Sequence, residues 1–295
     1  MNCAPLPPLR TTHFSLRTVF FEVFMSQIYV KSLSSAQAEA CYSAFLTGQL
    51  PKDGCLITEG SHVYLLDALP ILPEGQGVPV NFGPVDWIHS LLSSQMKSVT
   101  AYREFLLGRR LPAGVALAAS PEGIVVFPSA SYEPDLGTMS MFQLSFDPLE
   151  EVVTPQEASK LYHVDAKRIQ WDCEHAGESA DSIFSLQEVR HSGNTWLLLK
   201  SAAAHIYHEE PPISFAINPL LLVFSTVEAA AIWNRDSGVV RSAAGGAGHA
   251  AARMMEGDRR KSGRIWLVRR EAMNRLFGQA MPERMYAAIK HLENA

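Results

Sequence analysis

The chain has 295 residues, which is enough for two or three domains. Hydrophobic residues make up 47% of it and charged residues 19%, a composition typical of a globular protein and not of a disordered one. Its formal net charge of -5 at pH 7 argues against a protein that coats nucleic acid with its whole surface. Since no run approaches the roughly 18 apolar residues that span a bilayer, we expect no membrane partner.

The cysteines and the absence of catalytic motifs argue against further classes of function. Cys3, Cys41, Cys55 and Cys173 show neither zinc-ligand spacing nor a disulfide framework, so we expect free thiols in a reducing cytoplasm. Neither Gly-x-Ser-x-Gly nor His-Glu-x-x-His occurs in the sequence. We therefore predict no catalytic residues, no bound metal, no cofactor and no enzymatic activity.

The first half of the chain divides into an extension and an α+β domain. Residues 1–24 are proline-rich and then apolar, and they fit no regular element, so we predict a disordered extension. Residues 25–147 mix β-prone runs with helical periodicity. Pro121-Glu122-Gly123 predicts a hairpin turn. The predicted elements are strands at 27–30, 54–58, 62–66, 114–117 and 123–127 and helices at 35–46 and 85–107.

A different order of elements is predicted near the C-terminus. Ser225 or Thr226 can cap a helix with apolar residues at helical spacing, and Asp236 or Ser237 can cap a second helix after a short turn. A tight turn and the β-prone run 264–268 then predict a hairpin, which a closing helix follows. Helix, turn, helix, hairpin and helix is the order of a small winged helix-turn-helix domain.

The same pattern occurs twice in the C-terminal half. Residues 154–162 mirror 225–233 and residues 190–198 mirror 260–268, with offsets of 71 and 70 positions. Because a single gap aligns several separate features, we interpret the pattern as a tandem duplication. Residues 142–153 are expected to link it to the α+β domain. The predicted parts are therefore the extension 1–24, the α+β domain 25–147, repeat 1 at 150–212 and repeat 2 at 213–295.

Both repeats resemble the helix-turn-helix domains of the excisionase and MerR-like families. The resemblance rests on Glu228-Ala229-Ala230 in the first helix, the segment Arg260-x-Ser-Gly-Arg-x-Trp-Leu in the hairpin and Arg270-Glu271-Ala272 at the start of the last helix. In those families the second helix enters the DNA major groove, and the wing hairpin lies on the backbone or in the minor groove. The resemblance therefore implies double-stranded DNA as the partner.

Two features depart from the pattern of those families. Their turn usually contains glycine and a small apolar residue, whereas this chain has Asn234-Arg235 and His163-Val164 there. Gly238 and the glycine-rich run 243–248 are poor helix formers. We therefore predict a short second helix in repeat 2.

The two repeats differ in charge. Residues 224–278 contain ten basic and five acidic residues, a net charge of +5, whereas residues 152–209 contain five basic and eight acidic residues, a net charge of -3. Since phosphate contact requires local positive charge, repeat 2 is predicted to be the main DNA reader. Its predicted contacts are Arg235, Ser237 and Arg241 for bases, and Arg259, Arg260, Lys261 and Arg264 of the hairpin for phosphates. The secondary candidates in repeat 1 are Lys167, Arg168, Gln170 and Arg190.

Three hypotheses about function follow from the sequence. The first is a DNA-binding transcriptional regulator of bacterial or phage type, whose N-terminal domain recognises a partner or signal. The second is an antitoxin-like or adaptor module, in which the N-terminal domain and the acidic repeat 1 bind a partner protein. The third places an enzyme in residues 27–147. Two-fold symmetric DNA sites would make a homodimer natural.

Overall fold

The structure is a computed structural model, and it describes residues 27–59, 62–70, 78–80, 115–178, 182–248 and 251–292. The predicted extension 1–24 and the predicted helix 85–107 lie outside the described residues. The described part of the chain combines helices with three β-sheets. The fold class is α+β, as the sequence predicts.

One mixed sheet forms the N-terminal domain. Its strands are β1 (Gln27–Lys31), β2 (Cys55–Glu59), β3 (His62–Leu66), β4 (Val78–Val80), β5 (Val115–Ser120), β6 (Gly123–Pro128) and β7 (Ser140–Met141). They lie in the order β4-β6-β5-β2-β3-β1-β7. β1 runs parallel to β3, and the other neighbouring strands are antiparallel.

Most elements of this domain are where the sequence predicts them. All five predicted strands are present, and the predicted turn at 121–123 joins the antiparallel pair β5 and β6. β4 and β7 are not predicted. They have only three and two residues and form the two edges of the sheet, so they are too short to show a period of two.

Helix α1 (Ser35–Thr47) packs on one face of the sheet. Ser34 and Gln37 begin it with a capping box, and Gly48, at φ 71°, ends it in the left-handed conformation. Cys41 and Leu46 on this helix belong to a buried cluster that contains residues of β2, β3 and β5 and continues into both repeats. The N-terminal domain and the repeats therefore share one core.

Repeat 1 contains the predicted order of elements. They are α2 (Pro148–Glu151), β8 (Val152–Val153), α3 (Pro155–Tyr162), α4 (Ala166–Glu174), β9 (Val189–Ser192), β10 (Thr195–Leu199) and α5 (Lys200–His208). β8 pairs with β10, which makes the hairpin a three-stranded sheet. The expectation that 142–153 is only a linker is therefore wrong, because its second half belongs to the sheet and helices of repeat 1.

From its first strand to the helix after the hairpin, repeat 2 has the same order of elements; the 3-10 helix Pro219–Leu221 precedes it in place of α2, and a further helix follows it. The elements of repeat 2 are β11 (Val223–Ser225), α6 (Thr226–Ile232), α7 (Ser237–Gly245), β12 (Arg259–Ser262), β13 (Ile265–Arg269), α8 (Arg270–Phe277) and α9 (Pro282–Ile289). β11 pairs with β13 as β8 does with β10. The second helices of the two helix-turn-helix units, α4 and α7, both have nine residues, so α7 is short, as predicted, but no shorter than α4. Buried Val240, Ala243 and Ala244 hold α7 in place, and such packing outweighs low helix propensity.

The turn between the two helices of each helix-turn-helix unit has the left-handed backbone that glycine usually provides in such domains. His163 and Asn234, which match at an offset of 71 positions, have φ of +55° and +51°. Both residues thus adopt the left-handed conformation that glycine would adopt at low cost. Asparagine and histidine are both enriched in this region, and asparagine adopts it more readily because its short side chain can hydrogen-bond locally. The two turns are therefore alike in backbone and differ modestly in energy.

Candidate nucleic-acid interface

The second helix of repeat 2 turns one side to the core and the other to solvent. Asp236 begins α7 by accepting hydrogen bonds from two backbone N–H groups. Val240, Ala243 and Ala244 are buried on its inner side. Arg241 lies on the outer side and is exposed. Within the part of the chain that the structure describes, its guanidinium has no hydrogen bond or ion pair, so it is free to bind a ligand.

The other predicted base contacts of repeat 2 have different surroundings. Arg235 is exposed, but its Nη2 donates a hydrogen bond to the carbonyl oxygen of Phe277 at 2.9 Å. Its guanidinium also lies 5.9 Å from the centroid of the Phe277 ring. Ser237 is the first residue of α7 and is half-buried. Arg235 is thus held against α8, and Arg241 is the better placed of the two arginines for a base.

The second helix of repeat 1 also carries exposed cations. Lys167 and Arg168 lie in its first turn, and both are exposed. The Nε atom of Arg168 is 4.0 Å from a carboxylate oxygen of Asp172, and its side chain is 68% exposed. Gln170 donates a hydrogen bond to Glu174 at 2.9 Å. The carboxylates of Asp172 and Glu174 therefore weaken the positive field of α4.

Strand geometry divides the basic cluster of the repeat 2 hairpin between two faces. Arg259 and Lys261 point to one face, where their charges lie 5.0 and 5.9 Å from the ring centroid of Trp266. Arg260 points to the other face, because successive side chains of a strand alternate. Arg264 lies in the turn between β12 and β13 and is exposed, as is Lys261. Lys261 and Arg264 are therefore the accessible cations of this hairpin.

Arg260 is bound to repeat 1. Its Nη1 pairs with Glu157, its Nη2 donates to the carbonyl oxygen of Val152 at 2.7 Å, and its Nε donates to that of Leu149 at 2.8 Å. Ser262, on the same face of the strand, donates to the second carboxylate oxygen of Glu157 at 2.6 Å. All three nitrogens of the guanidinium are occupied. The structure therefore gives Arg260 a structural role in place of the predicted phosphate contact.

Arg190 makes the reciprocal contact from repeat 1 and is only 1% exposed. Its Nη1 pairs with Glu228, and its Nη2 donates to the carbonyl oxygen of Val223 at 2.6 Å. Ser192 donates to the second carboxylate oxygen of Glu228. Burial lowers the pKa of Arg190 and raises the pKa of Glu228, and their mutual attraction opposes both shifts. A buried arginine cannot touch DNA, so the prediction for Arg190 is corrected.

The sequence reasoning missed the acidic partners in these contacts, Glu157 and Glu228, together with Ser192 and Ser262. A signal for them was present, because an acid in the first helix and Arg-x-Ser in the hairpin recur in both repeats. Opposite charges that recur together often pair. The contacts cross from one repeat to the other, so neither repeat by itself reveals them.

Three further arginines of repeat 2 are already bound to other groups of the protein. Arg269 donates a hydrogen bond to Asp147 at 2.7 Å, and Arg275 pairs with Asp258. Arg270 is buried and donates to a backbone carbonyl of α1 at 3.1 Å. The net charge of +5 therefore overstates the positive charge that repeat 2 offers to a phosphate.

The aromatic residues that recur at matched positions pack inside the repeats. Tyr162 and Trp233, at the ends of the first helices, are buried. Trp196 and Trp266, in the hairpins, are half-buried and pack against the same core. Their rings therefore hold the domains together and are not stacking platforms for bases.

The described cysteines are protonated at neutral pH. Cys41, Cys55 and Cys173 are free and buried, and burial raises the pKa of each thiol to about 12. Among the described residues, no group of three or more His, Cys, Asp or Glu side chains is placed to hold a metal ion. None of the described helices is long and apolar enough to cross a membrane.

Comparison with protein families identifies the duplicated unit. Residues 141–211 and residues 218–281 each match a family described as a helix-turn-helix domain. No curated protein and no solved structure matches the chain. The first matched segment contains α2 through α5, and the second contains β11 through α8. The C-terminal half of this chain therefore carries two helix-turn-helix domains in tandem.

Proposed function

We propose that this protein binds double-stranded DNA through the second helices of its helix-turn-helix domains, chiefly α7, and acts as a transcriptional regulator. The observation that carries the proposal is the guanidinium of Arg241 on α7, which is exposed and has no ion pair or hydrogen bond to any residue that the structure describes. The second helix of such a domain lies in the major groove with its side chains against base edges. There an arginine can donate two hydrogen bonds to one guanine.

The hairpin of repeat 2 supplies the second part of the interface. Lys261 and Arg264 are exposed and would neutralise phosphates, with Arg259 beside Lys261 on the same face of β12. The resemblance to excisionase and MerR-like domains supports a hairpin next to the DNA backbone. Phosphate contacts position the protein without regard to sequence, and Arg241 provides the preference for a base.

The test is fluorescence anisotropy of the full chain with mixed-sequence duplex DNA, at salt concentrations from about 50 to 300 mM. The double variant Lys261→Ala/Arg264→Ala should bind all sequences more weakly and reduce the slope of log K against log salt by about 2, since each phosphate contact contributes about 0.9. Lys52→Ala, an exposed lysine on the N-terminal domain, is the matched control. The proposal fails if the folded chain binds no DNA, or if both variants behave alike.

A second candidate function is the recognition of a partner protein by repeat 1. Leu161, Trp171 and Leu186 are 44%, 58% and 48% exposed, and exposed large apolar side chains are typical of protein contacts. Trp171 lies on α4 and stacks on His175 with 4.1 Å between ring centroids. A protein captured by the full chain and lost with Trp171→Ala, but not with Lys52→Ala, would support this function and the adaptor hypothesis.

A further inference from the structure

The contacts between the repeats are reciprocal. The first helix of repeat 1 gives Glu157 to Arg260, and the first helix of repeat 2 gives Glu228 to Arg190. Each arginine also donates to the carbonyl oxygen of a strand residue in the other repeat, and those strand residues, Val152 and Val223, match at the offset of 71 positions. Each carboxylate accepts a second hydrogen bond from the serine two residues after the arginine.

Reciprocity of this kind defines the geometry of the pair. When residue i of one unit contacts residue j of the other, and j of the first contacts i of the second, the interface is isologous and the units are related by a two-fold axis. The two repeats of one chain are therefore arranged as the subunits of a symmetric dimer are. The arrangement is not fully symmetric, because Thr154 shares a hydrogen bond with Ser262 at 2.8 Å whereas Ser225 bonds Ser192 through both its hydroxyl and its backbone N–H.

The two-fold axis determines how the second helices are presented. Equivalent points lie at the same height along such an axis and on opposite sides of it. The helices α4 and α7 are therefore at the same height along the axis, one on each side. Duplex DNA has local two-fold axes of its own, and symmetric pairs of helix-turn-helix units read half-sites in inverted orientation. In this protein the pair is covalent, because one chain carries both units.

We propose, on the basis of the DNA-binding function above, that one chain binds one duplex site made of two inverted and non-identical half-sites. α7 reads one half-site with Arg241 and Ser237, and α4 reads the other with Lys167 and Arg168. The half-sites differ because these side chains differ, and an arginine, a lysine and a hydroxyl prefer different base edges. The two half-sites are also expected to differ in affinity, because the carboxylate of Glu174 on α4 weakens the attraction of that helix to phosphate.

The linkage within one chain has a consequence for stoichiometry. A conventional dimer must associate before it can bind both half-sites, whereas here the second unit is held beside the first at high effective concentration. The full chain is therefore expected to occupy its site as a monomer. Two chains on one site would place four second helices where the inverted site offers two half-sites.

The test is selection of duplexes of about 30 bp from a random library by the full chain, since this length holds two half-sites one helical turn apart. We expect an enriched pair of unequal motifs in inverted orientation, centred about 10 bp apart. Light scattering on the purified complex should give one chain per duplex. A single undivided motif, a direct repeat or two chains per duplex overturns this inference and leaves DNA binding intact. No enrichment by the folded chain overturns the proposed function and the inference with it.

Variants assign each half-site to its helix. Arg241→Ala should reduce discrimination in one half-site by roughly ten-fold and leave the other unchanged. Lys167→Ala/Arg168→Ala should do the reverse, and Lys52→Ala should change neither half. If either variant relaxes both half-sites equally, the two helices do not read separate halves. Circular dichroism of each variant checks that a loss of discrimination does not result from unfolding.

Discussion

Arg190 and Arg260 occupy matching positions in the two hairpins, but solvent reaches only one of the two ion pairs. The Arg190 side chain is 1% exposed, and its buried Nε has no hydrogen-bond partner in the described part of the chain. The Arg260 side chain is 19% exposed and all its nitrogens donate. A buried ion pair costs much when one partner is removed, because the other charge remains in a medium of low dielectric constant. The same motif therefore contributes unequally to the free energy of unfolding in the two repeats.

Arg190→Ala should lower the free energy of unfolding by about 3–5 kcal/mol, the usual cost of leaving a buried carboxylate unpaired. Arg260→Ala should lower it by about 1–2 kcal/mol, because water can hydrate Glu157. Urea denaturation measures both changes. The double variant Arg190→Met/Glu228→Met should be more stable than Arg190→Ala, since no charge is then left buried. Equal losses from the two single variants would contradict this assignment.

Glu271, at the start of α8, makes stability depend on pH. Burial raises the pKa of its carboxyl, against the lowering effect of its own backbone N–H and of Arg269 and Arg270. Its Oε2 atom is buried and accepts no hydrogen bond from any described residue, although the residue as a whole is partly exposed. The unfolded chain releases this proton near pH 4.3 and the native state only at higher pH. As the pH rises from the pKa of Glu271 in the unfolded chain to its pKa in the native state, the free energy of unfolding therefore falls.

Glu271→Gln should remove this pH-dependent penalty. The variant should exceed the original protein in free energy of unfolding at pH 7.5, and the difference should shrink toward pH 4, where both states of the original carry the proton. Urea denaturation at several pH values in this range measures it. A difference that is constant with pH would show that the ionisation of Glu271 is not its cause.

At the scale of elements, the two helix-turn-helix turns offer a matched comparison. His163→Gly should raise the free energy of unfolding by about 0.5–1 kcal/mol, because glycine relieves left-handed strain at some cost in chain entropy. Asn234→Gly should change it by only a few tenths of a kcal/mol, since asparagine already tolerates this conformation. Thermal and urea unfolding of the two variants test the pair. A larger gain at Asn234 would contradict the strain argument.

Strand β12 shows how one element serves structure and function together. Its alternation places Arg260 and Ser262 against repeat 1, and Arg259 and Lys261 on the opposite face. The sequence makes all four look like one polar cluster. The two faces of β12 contact different parts of the protein. Arg260 and Ser262 on one face hold the repeats together, whereas Arg259 and Lys261 on the other remain available to DNA.

At the scale of the whole molecule, Arg270 joins repeat 2 to the N-terminal domain. It is 4% exposed and donates to the carbonyl oxygen of Leu46 in the last turn of α1 at 3.1 Å. The carbonyl groups of Ala44 and Phe45 in that turn accept from the backbone N–H groups that follow the helix, whereas that of Leu46 accepts from Arg270. A cation also interacts favourably with the negative end of a helix. The N-terminal domain is therefore docked on the helix-turn-helix half by a buried charge.

Arg270→Ala should lower the melting temperature and speed amide exchange at the C-terminal end of α1, because the carbonyl group of Leu46 loses a buried donor. Lys200→Ala is the matched control, since Lys200 begins α5 as Arg270 begins α8 and is half-buried. It should change both quantities little. Hydrogen exchange with mass spectrometry measures the effect. If exchange in α1 is the same in both variants, Arg270 does not hold the domains together.

Local physical chemistry made much of the fold predictable from the sequence. The β-prone run at 62–66, the Ser-capped helix from Ser35 and the caps Ser225 and Asp236 are visible in short windows, and the structure confirms them. The strands β4, β7, β8 and β11 escaped prediction, because each has two or three residues and exists only through pairing with distant residues. Their formation is a property of the sheet and not of the segment.

The duplication, the helix-turn-helix order and the excess positive charge of repeat 2 were determined by the sequence alone, because each depends on residue types at short or fixed spacing. Tertiary structure decided which of those charges are available. It buried Arg190, bound Arg260 to Glu157, left Arg241 without a partner among the described residues, and joined the two repeats by reciprocal ion pairs. The physical reason is that ion pairs across the repeats join residues 38 and 103 positions apart, a distance at which spacing carries no information about contact.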